Sequence, residues 1–156
     1  KESITALDTS KGATSYARYD GTRTIGGYEI TTKDIMQNTQ ADIGVIQVKK
    51  STGSLKVANI KVTKVVLSII TTYDSTTTDK FISFKVGDTA INPTQTEIDA
   101  LFAAKVATGT QQKSGDNSFD GYRMTYTLNV NASAAADFYV LGGANAATYI
   151  EQIVIY

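Results

Sequence analysis

Cysteine, histidine and tryptophan are absent from this chain of 156 residues, and methionine occurs only twice. Without cysteine or histidine, the chain cannot form a zinc site built on those ligands or a Ser-His or Cys-His nucleophile. Catalysis would therefore have to use carboxylates, lysine or tyrosine, and no pair of the scattered acidic residues stands in an aromatic-lined motif. The composition favours a protein that binds or assembles, and we expect no enzyme.

Strong net charge is also missing, because fifteen basic residues balance fifteen acidic ones. The chain lacks the positive field that binding to a phosphate backbone requires, so we expect no nucleic-acid partner. The longest apolar stretch, Val65–Ile70, is interrupted by Ser68. It is far shorter than the roughly 20 residues needed to cross a bilayer, so we expect no membrane span.

Threonine, in contrast, is abundant, with 23 residues. Its branched side chain favours extended backbone while its hydroxyl faces water. The strongest strand pattern is Leu55–Thr72, which is β-branched almost throughout. Because strands usually have roughly 3–10 residues, we expect this segment to break near positions 58 and 59. Tyr122–Val130 alternates apolar and polar residues, and the Asp20-Gly21 pair predicts a hairpin.

One helix is predicted near residues 94–106. Thr94 and Glu97 have the spacing of a capping box, and an apolar stripe follows at Ile98 and Leu101. A single amphipathic helix in a β protein usually covers an open end of the sandwich, and we prefer that role to a partner-binding one.

These patterns together predict a mainly β fold, an antiparallel two-sheet β-sandwich that is jelly-roll-like. Seven to nine strands separated by turn signals fit one domain over residues 1–156. A short extended segment, residues 1–7, forms its N-terminal part. Tyr149–Tyr156 is apolar on both faces, which predicts a strand with a neighbour on each edge.

Calcium is the one cofactor that the sequence suggests. Asp116, Ser118 and Asp120 alternate before Gly121, as in the first half of an EF-hand-type loop. Thr127 stands where the bidentate glutamate should be, and the alternative is an ordinary Asp-Gly turn. Asp74 and Asp79, which flank a threonine-rich loop, form a still weaker pair of oxygen ligands.

A glycosylation motif occurs at Asn131, which is followed by alanine and serine. Such triplets often arise by chance, so the motif predicts a modified asparagine only in a host that glycosylates its secreted proteins.

Nine tyrosines bear on sugar binding, because carbohydrate modules stack sugar rings on exposed aromatic side chains. Tyr16, Tyr19, Tyr28 and Tyr73 lie in or near predicted loops and are candidates for such stacking. The alternative is that these are ordinary strand residues, and the missing tryptophan favours it.

A lysine cluster lies within sixteen residues of sequence, at Lys49, Lys50, Lys56, Lys61 and Lys64. An anionic partner would suit this cluster. The simpler interpretation is that the lysines keep an exposed face or sheet edge soluble and discourage uncontrolled strand pairing.

The first functional hypothesis is a structural, self-assembling subunit of an extracellular filament, pilus-like fibre or surface coat. In it, the N-terminal segment around Ile4 and Ala6 donates a strand to a neighbouring copy, so main-chain hydrogen bonds join identical subunits. The start at Lys1 favours a mature, secreted or surface-exposed chain whose leader has been removed.

The alternative hypothesis is a secreted jelly-roll carbohydrate-binding module with glycans as partners. The terminal segment Thr148–Tyr156 resembles the closing strand of several such families, over about nine residues. A viral coat or decoration protein is the third hypothesis, since it would share the composition of a filament subunit.

Overall fold

The computed structural model describes residues 2–4, 17–18, 20–39, 44–112 and 118–156. Within them, strands dominate and one α-helix is present. In chain order the strands are β1 (Glu2–Ile4), β2 (Ala17–Arg18), β3 (Gly21–Ile25), β4 (Tyr28–Lys33), β5 (Ile35–Thr39), β6 (Gly44–Val48), β7 (Ser54–Ile60), β8 (Lys64–Thr71), β9 (Ser83–Val86), β10 (Thr89–Ile91), β11 (Val106–Gln112), β12 (Ser118–Asn129), β13 (Ala136–Leu141) and β14 (Thr148–Ile155), and helix α1 (Gln95–Ala103) lies between β10 and β11.

The strands form two antiparallel sheets, which confirms the predicted two-sheet sandwich. Sheet A has the order β11-β12-β8-β14-β6-β5-β2, and β1 pairs with β14 as its eighth strand. Sheet B has the order β10-β9-β13-β7-β4-β3. In the central strands, apolar side chains alternate with polar ones, and the apolar sets of the two sheets face each other to form the core.

The strand order is that of a jelly roll. Eight strands form the roll, in chain order β6, β7, β8, β9, β10, β12, β13 and β14. When they are numbered one to eight in that order, strand one pairs with eight, two with seven, three with six and four with five. The molecule is thus one long hairpin folded over itself, with successive strand pairs placed in alternate sheets. Strands β2 to β5 extend both sheets beyond this roll.

The C-terminal strand lies inside sheet A. β14 pairs with β8 along one edge, and with β6 and then β1 along the other. Ile153 and Ile155 are buried toward the core, and Val154 is only 9% exposed on the opposite face. This arrangement confirms that a strand apolar on both faces has neighbours on both edges.

The long β-branched segment divides into β7 and β8, as its length requires. The break falls at residues 61–63, slightly beyond the predicted position, because Asn59 continues β7 with a left-handed φ of 49° instead of ending it. An irregularity in the pairing of β7 with β13 at this point accommodates the unusual backbone.

Helix α1 begins with the predicted capping box. The Thr94 hydroxyl accepts a hydrogen bond from the main-chain N–H of Glu97 at 3.2 Å. Ile98 and Leu101 are buried, and the buried Tyr126 of β12 donates its hydroxyl hydrogen bond to Glu97. The helix ends at Ala103, earlier than predicted, because the chain turns directly into β11. In the described part of the chain, no helix has the length and apolar character required to cross a membrane.

Candidate functional site

An open cleft of about 530 Å³ lies at one end of the sandwich. Because neighbouring strands of sheet B are antiparallel, the starts of β7 and β9 and the ends of β10 and β13 share this end. The segments attached to them supply the lining. We call this the end cleft, and it is lined by Ser51, Thr78, Asp79, Phe81, Ile82, Ser83, Asn92, Pro93, Gly142, Gly143 and Ala144.

Two glycines after β13 allow the walls of the end cleft to approach closely. The N–H of Gly142 donates to the carbonyl of Gly53 at 2.8 Å, and the N–H of Ser51 donates to the carbonyl of Gly143 at 2.8 Å. A Cβ atom on Gly142 would lie 2.0 Å from the carbonyl oxygen of Lys49, and one on Gly143 would lie 2.7 Å from another main-chain oxygen. Any larger residue at these positions would force the walls apart.

The carboxylate of Asp79 is held in place at the rim of the end cleft. The Thr77 hydroxyl donates to Oδ1, and the side-chain amide of Asn145 donates to Oδ2 at 2.8 Å. The main-chain N–H of Asn145 also donates to the Asp79 carbonyl at 2.9 Å. The hydrogen bond from Thr77, followed by that from Asn145, lowers the pKa of Asp79 below its ordinary value. Asp79 is therefore ionised at neutral pH and has a fixed orientation.

The lining of the end cleft suits a ligand rich in hydroxyl groups. Ser51, Thr78, Asp79 and Asn92, which carry hydroxyl, carboxylate and amide groups, are among the residues that line it, next to Pro93. Carboxylates accept hydrogen bonds, while amides and hydroxyls both donate and accept them. Such a set can satisfy several neighbouring hydroxyls of one small ring.

The outer face of sheet B continues from the end cleft. Lys56, Tyr139 and Lys85 are in register on β7, β13 and β9, and each alternates with buried residues, so their side chains point outward. The Lys85 ammonium lies 4.4 Å from the ring centroid of Tyr139. Ser83 lines the end cleft and precedes Lys85 by two residues on the same face. We call Lys56, Tyr139 and Lys85 the lysine row.

On the outer face of sheet A, an ion pair joins β12 to β14 across β8. Arg123 donates to both carboxylate oxygens of Glu151, with Nε–Oε2 at 2.7 Å and Nη2–Oε1 at 2.8 Å. Burial opposes ionisation of Glu151, but Arg123 and the hydroxyl of Ser68 outweigh it and lower its pKa. A bulge in β14 at this residue turns the extra side chain toward Arg123. Together with the hydroxyl of Ser68, this ion pair links β12, β8 and β14.

The predicted sugar-stacking tyrosines do not form one described platform. Tyr16 and Tyr19 lie outside the described residues. Tyr28 begins β4 directly after the Gly26-Gly27 turn and packs, partly buried, against the core; a stacking role for it stays a prediction. Tyr73 follows β8 and is 56% exposed, so a stacking role for it stays a prediction.

The calcium prediction remains untested. Asp116 lies outside the described residues. Ser118 and Asp120 belong to β12, and the Asp120 carboxylate accepts a hydrogen bond from Thr110 on the paired strand β11 at 2.8 Å. Among the residues with described positions, no cluster of three acidic side chains capable of holding a metal is found.

The glycosylation motif is accessible. Asn131 is exposed, has a left-handed φ of 53°, and donates its main-chain N–H to Thr63 at the turn that follows β12. Modification of Asn131 stays a prediction.

The N-terminal segment pairs with its own chain. Ile4 of β1 is in register with Ile153 of β14, and Ala6 lies outside the described residues. Donation of this strand to a second copy stays a prediction.

The sequence cluster of lysines is dispersed by the fold. Lys49 and Lys50 lie beside the turn before β7, Lys56 lies on the outer face of sheet B, and Lys61 lies in the β7–β8 turn. Lys64 lies on sheet A with its ammonium 4.2 Å from the ring centroid of Tyr156. Lys56 is instead in register with Tyr139 and, beyond it, with Lys85, which is distant in sequence.

Comparison with known proteins identifies no family for this chain. No protein-family model and no curated protein matches it. Two solved structures of exo-β-1,3-galactanase from Phanerochaete chrysosporium, one a variant with β-1,3-galactotriose and one with galactose, are each 9% identical with a TM-score of 0.38. They align with 89% and 85% of this chain, which spans only 29% and 30% of theirs.

Proposed function

We propose that this domain binds carbohydrate and that the end cleft is the binding site. The observation that carries the proposal is the fixed carboxylate of Asp79, which Thr77 and Asn145 orient beside a cleft lined with hydroxyl and amide groups. A preoriented acceptor loses little conformational entropy when a ligand binds. Sugars present neighbouring hydroxyls that both donate and accept, which matches this lining.

The proposal is binding without turnover. A general acid in glycoside hydrolysis needs a raised pKa and a second carboxyl group across the scissile bond. The pKa of Asp79 is instead lowered by its hydrogen bonds, the first of them from Thr77. Secretion or display at a cell surface, where polysaccharides are met, belongs to the same proposal.

The test is calorimetric titration of neutral and acidic oligosaccharides, chosen from a glycan-array screen, into the untagged domain. Asp79→Asn removes the charge but keeps the shape, and we expect affinity to fall about tenfold or more, the size of one hydrogen bond to a charged group. Asp88→Asn makes the same change at the exposed turn between β9 and β10 and should bind like the wild type.

Two outcomes would contradict the proposal. One is a wild-type domain that binds no glycan on the array. The other is equal loss of affinity in the Asp79 and Asp88 variants, which would place the site elsewhere.

A second candidate function is self-assembly by strand exchange, and the pairing of β1 favours it. β6 covers the edge of β14 at Thr148–Ile150, and β1 covers it at Ile153–Ile155. The segment 2–4 of a second copy would present the same main-chain groups to that edge. The chain would then form an extracellular filament, fibre or coat.

Removal of residues 1–7 tests this second candidate by size-exclusion chromatography and electron microscopy. If strand exchange joins the copies, the full chain forms oligomers and the truncated chain stays a folded monomer. Fibres formed by the truncated chain, or a full chain that is monomeric at every concentration, would rule it out.

A further inference from the structure

The lysine row lies next to the end cleft on the outer face of sheet B. Ser83 lines the cleft and Lys85 follows it on the same face of β9, about 7 Å further along the strand. Tyr139 and Lys56 continue the row across β13 and β7. Since neighbouring strands are about 4.8 Å apart, the two lysine Cα atoms are separated by roughly 10 Å.

The positive charge of this face is not neutralised by ion pairs. Within the described part of the chain, neither Lys56 nor Lys85 forms a salt bridge. Lys33, on β4, lies diagonally to Lys56 on the same outer face, at about 7–8 Å. Two acidic residues, Glu29 on β4 and Asp137 on β13, lie on the side of the row away from Lys33. The Asp137 carboxylate accepts a hydrogen bond from the main-chain N–H of Asn59.

Asp79 is the acidic residue of the end cleft, whereas on the outer face of sheet B three lysines, at positions 33, 56 and 85, outnumber two acidic residues, at positions 29 and 137. Asp79 is ionised at the end cleft and would repel an anionic group placed there. Lys85 and Lys56 would attract one, and the Lys85 ammonium lies over the ring of Tyr139 between them. The arrangement fits a polymer in which uncharged and acidic sugars alternate.

We propose that the domain recognises an acidic polysaccharide, with an uncharged sugar in the end cleft and a carboxylate or sulfate group over the lysine row. This inference rests on the carbohydrate-binding function proposed above and adds the chemical class of the ligand. It assigns specificity to Lys56 and Lys85, and hydroxyl recognition to Asp79.

The experiment uses chondroitin oligosaccharides, in which N-acetylgalactosamine alternates with glucuronate, and the same oligosaccharides with their carboxyl groups reduced to alcohols. We expect the wild-type domain to bind the acidic form about tenfold more tightly at low salt, with the difference shrinking as salt is added. The double variant Lys56→Gln/Lys85→Gln should lose this preference but keep its affinity for the reduced form.

Further variants test the contributions of the lysine row and of the end cleft separately. Lys61→Gln removes a lysine from the exposed β7–β8 turn and should leave the preference unchanged. Asp79→Asn should weaken binding of both the acidic and the reduced form. Lys56→Arg/Lys85→Arg keeps the charge and should retain the preference.

Equal wild-type affinity for both forms would overturn the acidic specificity and leave carbohydrate binding standing. A preference that survives in the double glutamine variant would also overturn it, as would binding to duplex DNA as tight as to chondroitin, since that would indicate unselective attraction of polyanions. Absence of binding to either form and to every glycan on the array would overturn the proposed function itself.

Discussion

At the scale of single residues, position 142 requires glycine because the main chain of Lys49 lies too close for a side chain, and not because of its backbone conformation. A Cβ atom there would lie 2.0 Å from the Lys49 carbonyl oxygen, inside the wall of the end cleft. We expect Gly142→Ala to destabilise the fold by about 2–4 kcal/mol in urea unfolding, since the main chain must move to relieve the overlap.

Gly27→Ala is the control for that substitution. Gly27 has a φ of 83°, and no atom lies within 4 Å of the position that a Cβ would take, so the cost of the alanine is conformational only, about 1–2 kcal/mol. A loss of stability in Gly142→Ala no larger than in Gly27→Ala would mean that the cleft walls yield easily.

The ionisation of Glu151 makes the stability of the fold depend on pH. Its pKa in the folded chain lies below the ordinary value of 4.5. The ionised form therefore stabilises the fold above pH 4.5, and that contribution is lost as pH falls through the folded pKa. We expect the melting temperature of the wild type to fall more steeply below pH 4.5 than that of Glu151→Gln.

At neutral pH, Glu151→Gln should be less stable by about 1–2 kcal/mol, because Arg123 loses a charged partner. Glu29→Gln makes the same change on the exposed face of the other sheet, sheet B, and should keep the wild-type stability at neutral pH. Parallel profiles for Glu151→Gln and the wild type would show that the ion pair does not couple folding to pH.

At the scale of elements, helix α1 was the most readily predicted feature. The spacing of Thr94 and Glu97 fixes its first turn by local hydrogen bonds, which depend only on neighbouring residues. Its end was less predictable, since the chain has already entered β11 at Val106, and Gly109 in that strand has a φ of 69°. Pairing with β12 decides that conformation, and pairing is not a local property.

Thr94→Ala should destabilise the domain by about 1 kcal/mol, because the N–H of Glu97 loses its acceptor. Thr94→Ser keeps the hydroxyl and should retain most of the stability. Urea unfolding followed by circular dichroism measures both variants. Equal stability of the alanine and serine variants would mean that water replaces the cap without cost.

At the scale of the whole molecule, the sandwich was predictable from composition and alternation, but the end cleft was not. Its walls come from segments near residues 51, 79, 92 and 143, which meet only because the jelly roll brings the ends of β7, β9, β10 and β13 together. The same holds for the lysine row, since Lys56 and Lys85 become neighbours of Tyr139 only through strand register. The spacing of these residues in the sequence does not indicate which of them become neighbours in the fold.

The folded hairpin also predicts where the molecule is most resistant to opening. β14 is paired on both edges, whereas β3 and β11 are terminal strands of their sheets in the described part of the chain. Amide hydrogen exchange measured by NMR should therefore be slowest at Ile150 and Ile153 and fastest in β3 and β11. Because β1 covers the edge of β14 at Ile153–Ile155, removing residues 1–7 should accelerate hydrogen exchange there. Thr148–Ile150 should stay protected, because β6 still covers that part of the edge. Uniform acceleration along β14 would mean instead that β1 stabilises the whole sandwich.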